Sequence, residues 1–299
     1  MLSLMGVEKR LGKFRLSEVS FNVGKGEIVG FVGLNGAGKT TTIRIAAGVL
    51  EPDAGEVMVE GHSMRREKRE ASKYLGWVPE LPTFEQDAKA LDYFVYLAGF
   101  YGLKAGEAKV KGEELFRELD LQGQERKRLR DFSQGMKKRF ALAVSMISDP
   151  PNFLFDEVLN GLDPQGIAYF REICHKFRKE GKAVLFSSHI LAEVENLADR
   201  VILIHGGRIV KELKAEEVRS ASTAALRIGL DRVDQGALQL ASSFGEPRVE
   251  GGYLILENLR AKPEEVSQAF VEAGYRITEM NRVSGNLEDV FFRLIGLRK

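Results

Sequence analysis

The chain has 299 residues, room for two domains or one large one, and its 44% apolar content is enough to bury a sizeable core. Lysine plus arginine total 44 against 43 acidic residues, so the net charge of +1 argues against a general polyanion binder. A lone cysteine, Cys174, excludes an intramolecular disulfide and a multi-cysteine metal site. It falls in an expected helix over residues 167–177 as a small buried apolar residue, compatible with a reducing compartment.

Residues 1–7 are too short for a signal-peptide core. The most apolar stretch, residues 91–103, contains Asp92 and falls short of the ~18–20 residues of a membrane span. The expectation is a chain soluble by itself, with any membrane role carried by a partner.

In chain order, residues 1 to about 30 read as short strands, with turns at Gly12 and Gly24-Lys25-Gly26. Residues 27–32 are an apolar, β-prone run that predicts a buried strand. Directly after it stand Gly33-Leu34-Asn35-Gly36-Ala37-Gly38-Lys39-Thr40, and Thr41 opens a helical pattern to residue 50. Glycine, four residues, then Gly-Lys-Thr between a strand and a helix is a phosphate-binding loop. Glycines let the backbone wrap a phosphate without a Cβ in the way, and the helix N-terminus offers N–H donors and partial positive charge. Lys39 is placed to reach β- and γ-phosphates, and the Thr40 hydroxyl to take one Mg²⁺ position.

Pro52-Asp53-Ala54-Gly55 reads as a turn, residues 56–60 as a half-buried strand, and residues 65–72 as a solvated helix. Residues 86–148 are mostly helical by periodicity, broken by turns at Gly102, Gly106 and around Gly123. Within them, Phe132-Ser133-Gln134-Gly135-Met136 precedes a helical run, with Ser133 as its N-cap. Residues 152–155 form a buried strand ending in Asp156 and Glu157, which sets two carboxylates at a strand end. Asp156 suits Mg²⁺, and Glu157 suits polarising a water. A further strand over residues 183–187 ends in Ser187-Ser188-His189. Residues 201–210 read as a hairpin turning at Gly206-Gly207. Strands alternating with helices imply an α/β core with a largely parallel sheet. Character changes across residues 212–222. Beyond them strands and helices follow as β-α-β-β-α-β with a final helix over residues 286–295, a small ferredoxin-like α+β unit. The domains are therefore placed at residues 1–215 and 216–299.

Taken together, the motifs resemble the nucleotide-binding subunit of ATP-binding-cassette (ABC) transporters over residues 1 to about 215. Gly33 to Thr40 matches the family's Walker A loop, and Phe132 to Met136 its signature loop in an SQGM form. Residues 152–157 match Walker B, Asn160-Gly161-Leu162-Asp163 the D-loop, and His189 the switch histidine. The resemblance implies an ATPase using ATP and Mg²⁺, built as a head-to-tail homodimer. Each ATP lies between one copy's Walker A loop and the other's Ser133, Gln134 and Gly135, with Asp163 near the interface. Glu157 is the implied general base or water-orienting group, with His189 on the γ-phosphate. The implied partner is an integral membrane permease, and the implied place the cytoplasmic face of the cell membrane.

Three positions depart from the family pattern. Leu11 and Phe14 stand where an aromatic covers adenine, and either could do so. Glu80 follows Trp77-Val78-Pro79 where the Q-loop has glutamine, and a carboxylate there can still ligate Mg²⁺. Val158-Leu159 replaces Pro-Thr. The aromatic stretch 91–103 is either a buried amphipathic helix or the permease-docking face. The ending Ser284 to Phe291 looks like the "SLEDVF" tail of the drug, sodium, antibiotic and polysaccharide exporter subfamily. A soluble ABC ATPase acting on ribosomes or nucleic acid is the alternative, against which stand the single cassette and the near-neutral charge.

Overall fold

Alternating apolar and polar residues build the first two strands, β1 (Leu2–Leu11) and β2 (Phe14–Val23), an antiparallel pair closed at Gly12 and Lys13. Leu16, Val19, Phe21 and Val23 turn to the core. The pairing slips twice, between Leu4 and Val7 and between Val7 and Lys9, and Glu18, at φ 51°, lies opposite the second slip. Each strand is ten residues long, not short as the sequence suggested. In a computed structural model, the described residues are 1–215, 217, 225–283, 287 and 291. The chain falls into two compact units, Met1–Leu213 and Lys214–Lys299.

The first unit continues with β3 (Ile28–Val32), α1 (Lys39–Ala46), β4 (Ala54–Val59), β5 (His62–Ser63), α2 (Lys68–Lys73) and β6 (Leu75–Val78). Next come α3 (Ala90–Phe100), α4 (Ala105–Glu118) and α5 (Gln134–Ser145). It then runs through β7 (Asn152–Phe155), α6 (Pro164–Lys179), β8 (Ala183–Ser188), α7 (Leu191–Leu197), β9 (Arg200–His205) and β10 (Arg208–Lys214). Two sheets result, ordered β2-β1-β4-β5 and β10-β9-β3-β8-β7-β6. In the second, β3 pairs in parallel with β8 and β9, and β7 with β8 and β6. Strands β3, β7 and β8 are buried at every residue, as parallel strands covered on both faces must be. One apolar core joins the two sheets through Leu4, Leu16, Phe21, Phe31, Ile43, Leu154 and Leu185.

Helices α3, α4 and α5 meet around three fully buried rings. Phe94 and Phe140 each pack edge-on to Phe116, at 6.0 and 5.9 Å. Such pairs are worth about 0.5–1.5 kcal/mol beyond area burial and hold the middle of α5 against α3 and α4.

Local structure departs from the sequence reading in a few places. Gly106 is no turn but the second residue of α4, whose start is set by Glu107 accepting from the Lys104 N–H at 3.2 Å. Helix α1 stops at Ala46, short of residue 50, and Gly48 at φ 70° turns the chain. Ala54 and Gly55 already belong to β4, and Ala54 pairs with Glu8 of β1.

The second unit is described through β11 (Ala225–Leu230), α8 (Gln235–Ser242), β12 (Glu246–Glu250), β13 (Tyr253–Glu257), α9 (Pro263–Glu272) and β14 (Ile277–Val283). Its antiparallel sheet has the order β12-β13-β11-β14, with Pro247 on the edge strand where its missing N–H is harmless. Leu226, Ile228, Leu254, Leu256, Val266 and Phe270 form its core. The expected helix over residues 286–295 and most of the Ser284–Phe291 tail motif lie outside the described residues; Leu287 and Phe291 are buried.

Candidate active site

Adjacent strands β3, β8 and β7 end on one edge of the parallel sheet, with Val32 opposite Ser188 and Phe155 opposite Phe186. The sequence places a functional loop at each of these ends: Gly33–Thr40 after β3, Asp156-Glu157 after β7 and His189 after β8. Ligands bind at such carboxyl ends in open α/β sheets.

The loop needs glycine for two different reasons. A Cβ on Gly33 would lie 2.4 Å from the Ile204 carbonyl oxygen. Gly38 caps α1 at φ 115°, where a Cβ would also strike Leu16 and Phe14 at 3.0 Å. No side chain caps α1 and its first turn holds no acid, so its N–H groups and positive dipole end face the loop.

Buried polar bonds tie the three strand ends together. Lys39 Nζ donates to the Gly33 carbonyl at 2.7 Å and lies 3.1 Å from Glu157 Oε1, both side chains being buried. Thr40 Oγ1 donates to Asp156 Oδ1 at 3.1 Å, and Ser187 Oγ donates to the same oxygen at 2.9 Å. Ser187 Oγ in turn accepts the Glu157 N–H at 2.9 Å. His189 Nδ1 stands 3.0 Å from Glu157 Oε2. Glu157 itself is held at φ 49°, a left-handed conformation that costs a non-glycine residue roughly 1–2 kcal/mol. Strain of this kind persists only where surrounding bonds over-determine it.

Burial pushes the Asp156 carboxyl above the usual aspartate range. Hydrogen bonds from Ser187 and Thr40 oppose that shift, and repulsion from Glu157 and Glu80 adds to it. Burial lowers the Lys138 ammonium, against the pull of Glu80 and Glu157. The Asn160 amide donates to Glu80 Oε1 at 3.5 Å, while Asn160 Oδ1 is buried without a partner.

An open cleft of about 640 Å³ is lined by Asn35, Gly36, Gly38, Lys39, Thr40 and Thr41 together with Glu80, Glu157, Asn160 and His189. That is a size suited to a nucleotide. Leu11 and Phe14 both border it, so the two candidates for the base lie side by side. Asp156 lies buried at its floor through the Thr40 bond. Gly33, Leu34 and Ala37 complete the loop without lining the cleft. Ser133, Gln134, Gly135 and Asp163 do not line it either. Ser133 Oγ caps α5 by accepting the Met136 N–H at 3.2 Å, and Asp163 Oδ1 caps α6 by accepting the Gly166 N–H at 2.8 Å. Two contributors escaped sequence reasoning. Ser187 was visible as the residue two before His189 on the same strand end. Lys138 lay within a run of basic residues that gives no such signal.

A glycine loop at a helix N-terminus, two acids at the end of a strand one place further along the sheet, and a histidine at the end of the strand between them define a P-loop nucleotide-hydrolysing cassette. The family model described as ABC transporter matches residues 16–160. The chain is 31% identical over 286 residues to the bacitracin transport ATP-binding protein of Bacillus licheniformis, covering 94% of this chain and 92% of that one. It is 31% identical to the Nod factor export ATP-binding protein I of Paraburkholderia xenovorans (strain LB400), covering 97% and 95%. Among solved structures, one described as the ATP-binding subunit of an ABC transporter superposes with a TM-score of 0.68 at 28% identity, over 74% of this chain and 92% of that one. The chain belongs to the ABC transporter family as an ATP-binding cassette, a family that hydrolyses ATP in transporters.

Proposed function

We propose that this ATPase pairs head-to-tail with a second copy and powers an exporter through a separate membrane permease on the cytoplasmic face. The observation that carries the reading is the convergence of the phosphate loop, Glu157 and His189 in one cleft whose signature residues lie elsewhere. Ser133 and Gln134 are exposed and outside their own chain's cleft. A second copy in the reverse orientation brings them to the γ-phosphate. The names of the relatives, one for bacitracin transport and one for Nod factor export, support the exporter class.

Each residue then has a chemical task. Lys39 and the N–H groups of α1 neutralise phosphate charge. Glu157, aimed by Lys39, His189 and its own backbone bond to Ser187, orients the attacking water and takes its proton. His189 Nδ1 faces the Glu157 carboxylate, so Nε2 is the ring nitrogen left to face a phosphate, and it donates there only when the ring carries both protons. Hydrolysis by this set is positioning plus electrostatics, as phosphoryl transfer requires. The donor set suits Mg²⁺: the Thr40 hydroxyl, the buried Asp156 and Glu80 are hard oxygen groups, and mutual repulsion of the carboxylates favours a cation among them. Mg²⁺ held there would supply charge neutralisation at the phosphates.

The aromatic helix supports the permease reading. Tyr96 is 61% and Phe100 73% exposed on α3, and Leu81 nearby in sequence is 71% exposed. Large apolar side chains left to water in this way suit a protein partner. No helix of the described residues is long and apolar enough to cross a membrane, so the spanning element in this reading is the partner's. The unit boundary after Leu213 supports an ATP-binding domain over 1–215 and an accessory α+β domain over 216–299.

The test is site-specific photo-crosslinking from Phe100 in native membranes, with the Glu157→Gln protein held by Mg-ATP. A crosslink to a multi-span membrane protein is expected. Crosslinks only to ribosomal or soluble proteins would contradict the transporter role.

A further inference from the structure

The mechanism above leaves one buried charge unused. Lys138 sits on α5, just inside the helix whose first turn carries Gln134 and Gly135, and it is only 8% exposed. Its Nζ donates to the Val158 carbonyl at 2.8 Å and also to the Asn160 carbonyl. Both partners are backbone oxygens rather than carboxylates. A buried cation is costly to keep, and an apolar side chain would fill the same space more cheaply. What the ammonium grips explains its presence. Val158 follows Glu157, whose left-handed backbone is the strained point of the site. Asn160 is the residue whose side chain touches Glu80.

We infer that Lys138 is a positioning residue, which pins the turn after Glu157 to the helix that begins at the signature loop. Without its two bonds, the Glu157 backbone has lost a restraint on the side away from Ser187, and the carboxylate can leave the line of attack. The same ammonium places a positive charge near Glu80 and Glu157, in a site crowded with carboxylates. It also ties the signature end of α5, which serves the partner's ATP in the proposed dimer, to the carboxylate that serves its own. The inference rests on the reading of Glu157 as the water-orienting group.

The test compares steady-state ATP hydrolysis and fluorescent-nucleotide binding for the unaltered full chain, Lys138→Met and Lys138→Arg. In Lys138→Met, kcat is expected to fall on the order of 100-fold, because small misplacement of a reacting group is that costly. The KM and the nucleotide affinity should change by less than about threefold, since the loss is confined to the transition state. Lys138→Arg, which keeps donors for two carbonyls, should recover most of the rate. Should Lys138→Met fail to fold, Lys138→Gln carries the same comparison, with an amide donor group kept, the charge removed, and an intermediate loss of kcat expected. An unchanged kcat, an equal loss of affinity and turnover, or an arginine variant no better than methionine would overturn the role. If the unaltered chain and Lys138→Met both bind ATP and neither hydrolyses it, the reading of Glu157 fails first.

Discussion

The cleft and the signature loop sit at opposite extremes of preparation within one unit. At the cleft, Lys39, Glu157, Asp156 and Ser187 are buried and bonded to one another across three strands. At the signature loop, Ser133 and Gln134 are exposed, and the Ser133 hydroxyl caps its own helix. The first region must hold charge in fixed places before substrate arrives, so it is built from strand ends in a dry sheet. In the proposed dimer the second needs only to offer N–H groups and a hydroxyl to a surface, and a helix start held by Phe132 packed edge-on to Phe140 is enough for that.

Substitutions can break this contrast, beginning with the largest effect. Glu157→Gln should lower turnover by about 10²–10⁴-fold while nucleotide binding persists, as loss of a positioned acid–base group does. Normal hydrolysis in that variant would remove Glu157 from the chemistry. Lys39→Ala should weaken ATP binding by roughly 100-fold, about the worth of one or two charge-assisted hydrogen bonds. Equilibrium titration with a fluorescent nucleotide reads it, and unchanged affinity would mean the loop binds without its lysine.

His189→Ala should slow hydrolysis about 10-fold or more with affinity almost intact, because it loses an orienting bond to Glu157 rather than a binding contact. A large loss of affinity would point to a structural histidine instead. On the signature side, Ser133→Ala should cost only about 0.5–2 kcal/mol of stability through the lost cap. Its effect on hydrolysis should exceed what that stability change explains, which thermal unfolding beside ATPase assays would separate.

The buried carboxylate sharpens the comparison through pH. The Asp156 carboxyl titrates higher in the folded chain than when unfolded, because burial disfavours its charge. Folding therefore takes up a proton between the two values, and stability falls as pH rises through that window from the unfolded value upward. Asp156→Asn removes the charge and should raise the melting temperature at neutral pH in chelator, while abolishing Mg²⁺-dependent hydrolysis. That gain should shrink as pH drops below the unfolded aspartate value. A variant less stable than the parent at neutral pH would show that the carboxylate stabilises the fold.

Much of this was legible in the sequence, because phosphate chemistry demands residue types at fixed spacing. Gly33, Gly38, Lys39 and Thr40 have almost no substitutes in a loop that wraps an anion, and a buried strand is the plain way to present Asp156 and Glu157. The parallel sheet was legible because β3, β7 and β8 are short, mostly apolar runs, interrupted only by Gly30, Asn152 and the Ser187-Ser188 end. Gly106 misled because glycine marks a turn only when the backbone needs it, and the Lys104–Glu107 bond starts a helix around it. Leu11 and Phe14 could not be separated by spacing, and both border the cleft. Ser187 stood beside His189 on its strand end, but its bond to Asp156, 31 residues away, and the bonds of Lys138 to carbonyls 20 and 22 residues away, are set by the fold and not by a local pattern.

The central claim is that the cleft is completed by the signature loop of a second copy. Sedimentation equilibrium of the Glu157→Gln chain, with and without Mg-ATP, tests it directly. The account predicts monomers without nucleotide and a dimer holding two ATP molecules at saturation, lost again in the Glu157→Gln, Ser133→Arg double variant. A chain that binds ATP stoichiometrically and stays monomeric would contradict it.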